Sequence, residues 1–255
     1  MLLDGLYYLV RTGSAIHTGA SDVDVFRFKI REDALQRVLL VETYVGILCL
    51  QSVPRAERPS RRTYVYRTPV ASMDDETILD ALSAIRLARQ YSRHVYLLGH
   101  SLGAMLAPLI AERTEQPLAG VIMMAAPGRD MEAVVREQFD YLLPSGASPA
   151  FKEQQIENLR QRSPHYLQPQ GQTDAARRLK PPMLILQGER DYQVTMQDFR
   201  LWQQALNGKP NVVFHSYPRL NHPFMEGEGK STPLEYQLKG HVAPYVIDDI
   251  SSFIH

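Results

Sequence analysis

Five residues restrict this chain more than any other stretch: Gly99-His100-Ser101-Leu102-Gly103, set between two apolar runs. Before them stands His94-Val95-Tyr96-Leu97-Leu98, which reads as a buried strand, and after them the run 104–111, which reads as a buried helix. A strand that turns this sharply into a helix forces its central residue into a strained backbone conformation. Glycine two residues to either side removes the Cβ atoms that would collide in the turn. The serine Oγ then projects above the strand end, and the free N–H groups of the helix N-terminus face any negative charge that develops there. The five-residue pattern recurs by chance in roughly one chain in ten of this size at average glycine and serine usage, so the strand and helix around it carry the inference.

The rest of the chain supplies a matching framework. Short β-like runs alternate with helical stretches, which predicts an α/β fold with a mostly parallel central sheet and helices on both faces. The clearest strands fall at 95–98, 120–124, 183–186 and 212–217, and weaker ones at 46–50, 6–10 and 23–30. Helices are expected at 74–91, 102–112, 131–143, 195–206 and 244–254. Residues 128–180 interrupt the alternation: they are polar, carry Pro144, Pro149, Pro164 and Pro169, and show helical rather than strand periodicity. The expected organisation is therefore a core of 1–127 and 181–255 with a helical cap inserted at 128–180 over the carboxyl ends of the strands.

A serine hydroxyl is a weak nucleophile and needs a base in hydrogen-bond reach, oriented in turn by an acid. In a sheet of this kind the acid and the base follow the serine, each on a loop after a later strand. Asp191 follows the run 183–188, with Glu189 as the rival carboxylate. His222 follows the run 212–217 and is the expected base. Among the other histidines, His215 lies inside a strand, His241 precedes the last helix, and His100 is expected to pack beside the site.

Composition excludes more than it selects. Lys plus Arg and Asp plus Glu both number 28, so nothing suggests steering toward nucleic acid or an anionic membrane. Cys49 is the single cysteine, so no intramolecular disulfide can form; it sits in an apolar run as a small hydrophobe. The first residues lack a basic n-region and are interrupted by Asp4, and no apolar run reaches membrane-span length, which predicts a cytoplasmic protein. The histidines show no metal-ligand spacing, and the chemistry outlined above needs no cofactor.

The segments GHSLGAMLAP, LILQGERDYQV and YPRLNHPF, with Asp75-Glu76-Thr77, Ala125-Ala126-Pro127-Gly128 and Glu137-Gln138, resemble bacterial α/β-hydrolases of the dienelactone-hydrolase-like and serine carboxylesterase group. The likeness runs from about Arg62 to the C-terminus. It implies a carboxylesterase with Ser101, Asp191 and His222 as its triad, an acyl-enzyme intermediate, and a small-molecule ester as substrate. Zero net charge and the lack of a span-length apolar run lead us to expect no nucleic acid and no membrane as partner, and a homodimer is the one assembly considered. The resemblance also implies two oxyanion donors, Leu102 N–H and an N–H from an H-G-x-G-like loop after an early strand. The nearest match to that loop is His17-Thr18-Gly19-Ala20, which makes Thr18 the second expected donor. Here the chain departs from the pattern, because the run 11–16 is polar for a central strand and 52–62 reads as loop. A thioesterase, lactonase or peptidase would use the same triad, with the basic cluster Arg177, Arg178 and Lys180 the candidate contact for a coenzyme-A ester. A catalytically impaired hydrolase fold serving as a binding protein is the reading from outside enzymology.

Overall fold

A computed structural model describes the strand segments 6–11, 26–29, 36–40 and 44–49, then residues 72–73, 77–143, 148–162, 164–168 and 170–254. Among the described residues, six strands share one sheet in the order β1 (Leu6–Arg11), β4 (Tyr44–Cys49), β5 (Val95–His100), β6 (Gly120–Met124), β7 (Met183–Gly188) and β8 (Val212–Tyr217). The four strands from β5 to β8 run parallel, whereas β4 pairs antiparallel with both β1 and β5. A separate hairpin-like pair joins β2 (Phe26–Lys29) to β3 (Gln36–Leu40).

The central strands form because their side chains can be buried on both faces at once, which suits the continuous apolar runs of parallel sheets. Every residue of β5, β6 and β7 is buried. Alternation sorts them: Val95, Leu97, Val121, Met123, Met183 and Ile185 face one core, while Tyr96, Leu98, Ile122, Met124, Leu184 and Leu186 face the other. The first core is covered by α1 (Leu79–Arg89), α2 (Leu102–Glu112), α6 (Gln172–Arg178) and α7 (Met196–Ala205). The second is covered by α8 (Pro244–Ile254), through Val246, Ile250 and Ile254. Helix α2 is apolar on almost all sides and nearly all buried, because it is packed between the sheet and α6.

Between β6 and β7 the described residues form four helices, α3 (Met131–Leu142), α4 (Pro149–Arg162), α5 (Pro164–Leu167) and α6. Helices α3, α4 and α5 pack on one another. Helix α6 instead packs on α2 and places Ala176 in the main core, with Leu179 just beyond it. Helices α3 and α5 also reach the main core, through Met131 and Val135 and through Leu167. Helix α4 is mostly polar, buries Ile156, and is tied by surface ion pairs such as Arg136–Glu153 and Lys152–Asp140.

Candidate active site

Strand β5 ends at His100, and Ser101 turns the chain into α2 with φ 56° and ψ −123°. A non-glycine residue in such a region costs on the order of 1–3 kcal/mol, so the surroundings must hold it there. They do so by main-chain bonds: Ser101 N–H donates to the Met124 carbonyl at 2.9 Å, and the Ser101 carbonyl accepts from Ala104 and Met105 at 3.0 and 3.1 Å. Gly99 is required by close approach, since a Cβ there would strike the Gly103 carbonyl. Leu102 is the first residue of α2, and the N–H groups of a first helical turn have no partner within the helix.

Asp191 lies just past the end of β7. Its Oδ1 accepts from the N–H groups of Gln193 (2.8 Å) and Val194 (3.0 Å). Its Oδ2 accepts from His222 Nδ1 at 2.7 Å, with Gln187 Nε2 at 3.3 Å. Gln187 is itself fixed by donating to the Val194 carbonyl at 2.8 Å. Because Nδ1 of His222 donates to a carboxylate, Nε2 is the ring nitrogen left to accept a proton. Both residues are buried.

The loop that carries His222 crosses the end of β7, where Gly188 leaves it room: a Cβ at Gly188 would lie 2.5 Å from the Leu220 carbonyl and 2.8 Å from that of Asn221. Phe224, at φ 58° and fully buried, closes the turn, and Asn221 Oδ1 accepts from Met225 N–H at 2.9 Å. His100 joins this loop to the serine turn. Its Nε2 donates to the His222 carbonyl at 2.9 Å, and the two imidazole rings lie 4.6 Å apart. Burial first, and then the neighbouring His222, push the His100 pKa down to about 3 despite that bond, so the ring is neutral.

Of the expected residues, Asp191 and His222 are in direct hydrogen bond, and His100 brings the Ser101 turn against the His222 loop. Thr18 lies outside the described residues. Glu189, the rival acid, instead accepts from Ser216 Oγ at 2.8 Å. His215 donates from Nδ1 to Asp249 at 3.0 Å. Among the described residues, no cluster of three or more His, Cys, Asp or Glu is arranged to hold a metal ion. Likewise, among the described residues no helix is long and apolar enough to cross a membrane.

Two neighbours of the site were not foreseen from sequence, Gln187 and Glu235, and the helix expected at 131–143 stands beside it as α3. Helix α3 reaches the acid loop through Gln138 Nε2, which donates to the Gln193 carbonyl at 3.0 Å, and through Tyr141, stacked on Tyr192 at 4.7 Å. Glu235 lies in a short 3-10 helix, Pro233–Gln237. Burial pushes its carboxyl up, but hydrogen bonds from Asn221, Arg190 and Ser231 outweigh this and hold it below the usual carboxylate range.

Comparison with known proteins adds a family and a relative. Residues 49–235 match the model of an alpha/beta hydrolase family. The chain is 38% identical over 217 residues to Esterase EstD of Thermotoga maritima, an alignment that spans 77% of this chain and 52% of that protein. The chain thus spans about half the length of the curated relative it matches. Among solved structures, it is similar to an esterase of Pyrococcus furiosus at 12% identity and TM-score 0.47, over 74% of this chain and 64% of that one. It is also similar to an alpha/beta fold family hydrolase of Bacillus anthracis at 17% identity and TM-score 0.44, over 72% and 73% of the two chains.

Proposed function

The chain belongs to the alpha/beta hydrolase family, and from that premise we propose that it is a serine hydrolase that cleaves carboxylic esters through an acyl-enzyme intermediate. The observation that carries the reading is the 2.7 Å bond between buried Asp191 and His222, on a loop held by His100 beside the strained Ser101 turn. The 38% identity to an esterase supports ester over other acyl substrates. Within the family we propose the dienelactone-hydrolase-like and serine carboxylesterase group, on the three segments quoted above. We also propose a cytoplasmic setting, for which a lone cysteine and a fold independent of disulfides are the support.

In this mechanism His222 Nε2 takes the Ser101 hydroxyl proton as Oγ bonds to the ester carbonyl carbon. Asp191 keeps the proton on Nδ1 and stabilises the imidazolium. The oxyanion accepts from Leu102 N–H and from Thr18 N–H. As the carbonyl re-forms, the bond to the alcohol oxygen breaks, and that oxygen receives the proton from His222 Nε2. Water then gives a proton to His222 Nε2 as its oxygen bonds to the acyl carbon, and when the bond from that carbon to Ser101 Oγ breaks, Oγ takes the proton back from Nε2 and the acid leaves. No metal or organic cofactor enters these steps. The cap we propose over the substrate is the insertion at 128–180, chiefly α3, which already touches the acid loop.

A series of p-nitrophenyl esters from acetate to laurate tests the reading. The wild type hydrolyses one or more of them, and Ser101→Ala lowers kcat by about 10^4-fold or more. Turnover that survives in Ser101→Ala overturns the assignment of the nucleophile.

A further inference from the structure

Arg190 directly precedes Asp191, and Asn221 directly precedes His222. Both side chains end on the same carboxylate. Glu235 Oε2 accepts from Asn221 Nδ2 at 2.8 Å and from Ser231 Oγ at 2.9 Å, while Oε1 accepts from Arg190 Nη2. Arg190 is held beyond that pair as well: its Nε donates to the Gly229 carbonyl at 2.9 Å, Nη2 to that of Glu228 at 3.0 Å, and Nη1 to that of Arg219 at 3.4 Å. Its main-chain N–H donates to the Leu220 carbonyl at 2.9 Å. Asn221 is almost wholly buried at 1% exposure, and the Arg190 side chain is 8% exposed. One turn further out, Tyr141 of α3 donates its hydroxyl to the Ser231 carbonyl at 2.8 Å, so the insertion leans on the same segment.

We propose that Glu235 is a positioning residue that clamps the acid loop to the histidine loop through Arg190 and Asn221 and so sets the Asp191–His222 hydrogen bond. This inference rests on the proposed hydrolase reading for its catalytic consequence, but the clamp itself does not. The physical reason is geometric. A donor–acceptor distance of 2.7 Å at a carboxylate demands that two loops, 31 residues apart in sequence, keep their relative place to a fraction of an ångström. Apolar burial of Val194, Leu220 and Phe224 seats the loops without fixing direction, whereas a half-buried carboxylate with three donors fixes direction as well as distance. Glu235 touches neither Asp191 nor His222 through any bond described above, so its influence must travel through the residues beside them.

The test uses the whole 255-residue chain and has a readout that does not depend on any substrate. The proton shared by His222 Nδ1 and Asp191 gives a far-downfield proton NMR signal, assigned by its loss in Asp191→Asn. In Glu235→Gln and Glu235→Ala the signal moves upfield or broadens by exchange. A signal unchanged in both variants overturns the clamp. On a hydrolysed ester, Glu235→Gln lowers kcat about tenfold and leaves KM within about twofold, and costs nothing more when Asp191 is already Asn, because coupled residues are non-additive. An equal loss in both backgrounds would mean a general structural role and also overturns the clamp. A wild type that turns over no ester, yet whose signal still depends on Glu235, sinks the esterase reading and leaves the clamp standing.

Discussion

From Val95 to Met124 the buried side chains are almost all apolar, whereas from Gln187 to Glu235 the groups nearest the site are polar and paired. The first region is placed by burial on both faces of a sheet, a force without direction that tolerates small shifts. The second is placed by hydrogen bonds, which fail when an atom moves by half an ångström. Damage to the first region should therefore appear as lost stability, and damage to the second as lost turnover in a protein that still folds.

The largest expected effect lies in the polar region. Asp191→Asn keeps the shape of the side chain but removes the charge that orients and stabilises His222, and should lower kcat by about 10^4-fold. Circular dichroism and ester turnover on the same preparation check it; a variant with more than a tenth of wild-type kcat would break the contrast. In the apolar region, Leu97→Ala empties a fully buried site in the main core. It should cost about 2–5 kcal/mol in urea unfolding while the folded fraction keeps its kcat.

His100 sits on the border between the two regions. Its pKa is held down to about 3, by burial first, while the unfolded chain takes a proton near about 6.5. Its contribution to stability is therefore whole above about pH 6.5 and is lost as the pH falls toward its folded value, at most about 1.4 kcal/mol per pH unit. Urea midpoints between pH 7 and pH 4.5 should fall more steeply in the wild type than in His100→Gln. Equal slopes would remove His100 from the border. The smallest effect belongs to the exposed pair Arg178–Glu112, both well exposed to water, where Arg178→Ala should leave the urea midpoint almost unmoved.

The same contrast explains what could be read from the sequence. Strands β5, β6 and β7 and helix α2 were legible because residues covered on every side leave unbroken apolar runs. Strand β3 was not expected, since Gln36 and Arg37 open it and no alternation marks it. Helix α1 is described from Leu79 rather than 74, with residues 74–76 outside the described set. The insertion at 128–180 was legible as helical, but not that α6 returns to pack on α2, because Ala175 and Ala176 are too small to stand out as core. Ser101, Asp191 and His222 were chosen by their places after strands. Arg190 and Glu235 could not be, because polar residues that bond across 45 positions of chain look like any surface residue until the loops are folded together, and Gln187 could not be, because a glutamine inside an apolar strand run gives no sign that it bonds Asp191.

Intact-protein mass spectrometry after treatment with a fluorophosphonate tests the central claim most directly, since the probe phosphonylates only a serine whose hydroxyl proton has somewhere to go. The wild type should gain a single adduct, mapped by peptide digestion to Ser101, and Ser101→Ala should gain none. A folded wild type that stays unlabelled, or an adduct on any other residue, would contradict the claim that Ser101, His222 and Asp191 act as one unit.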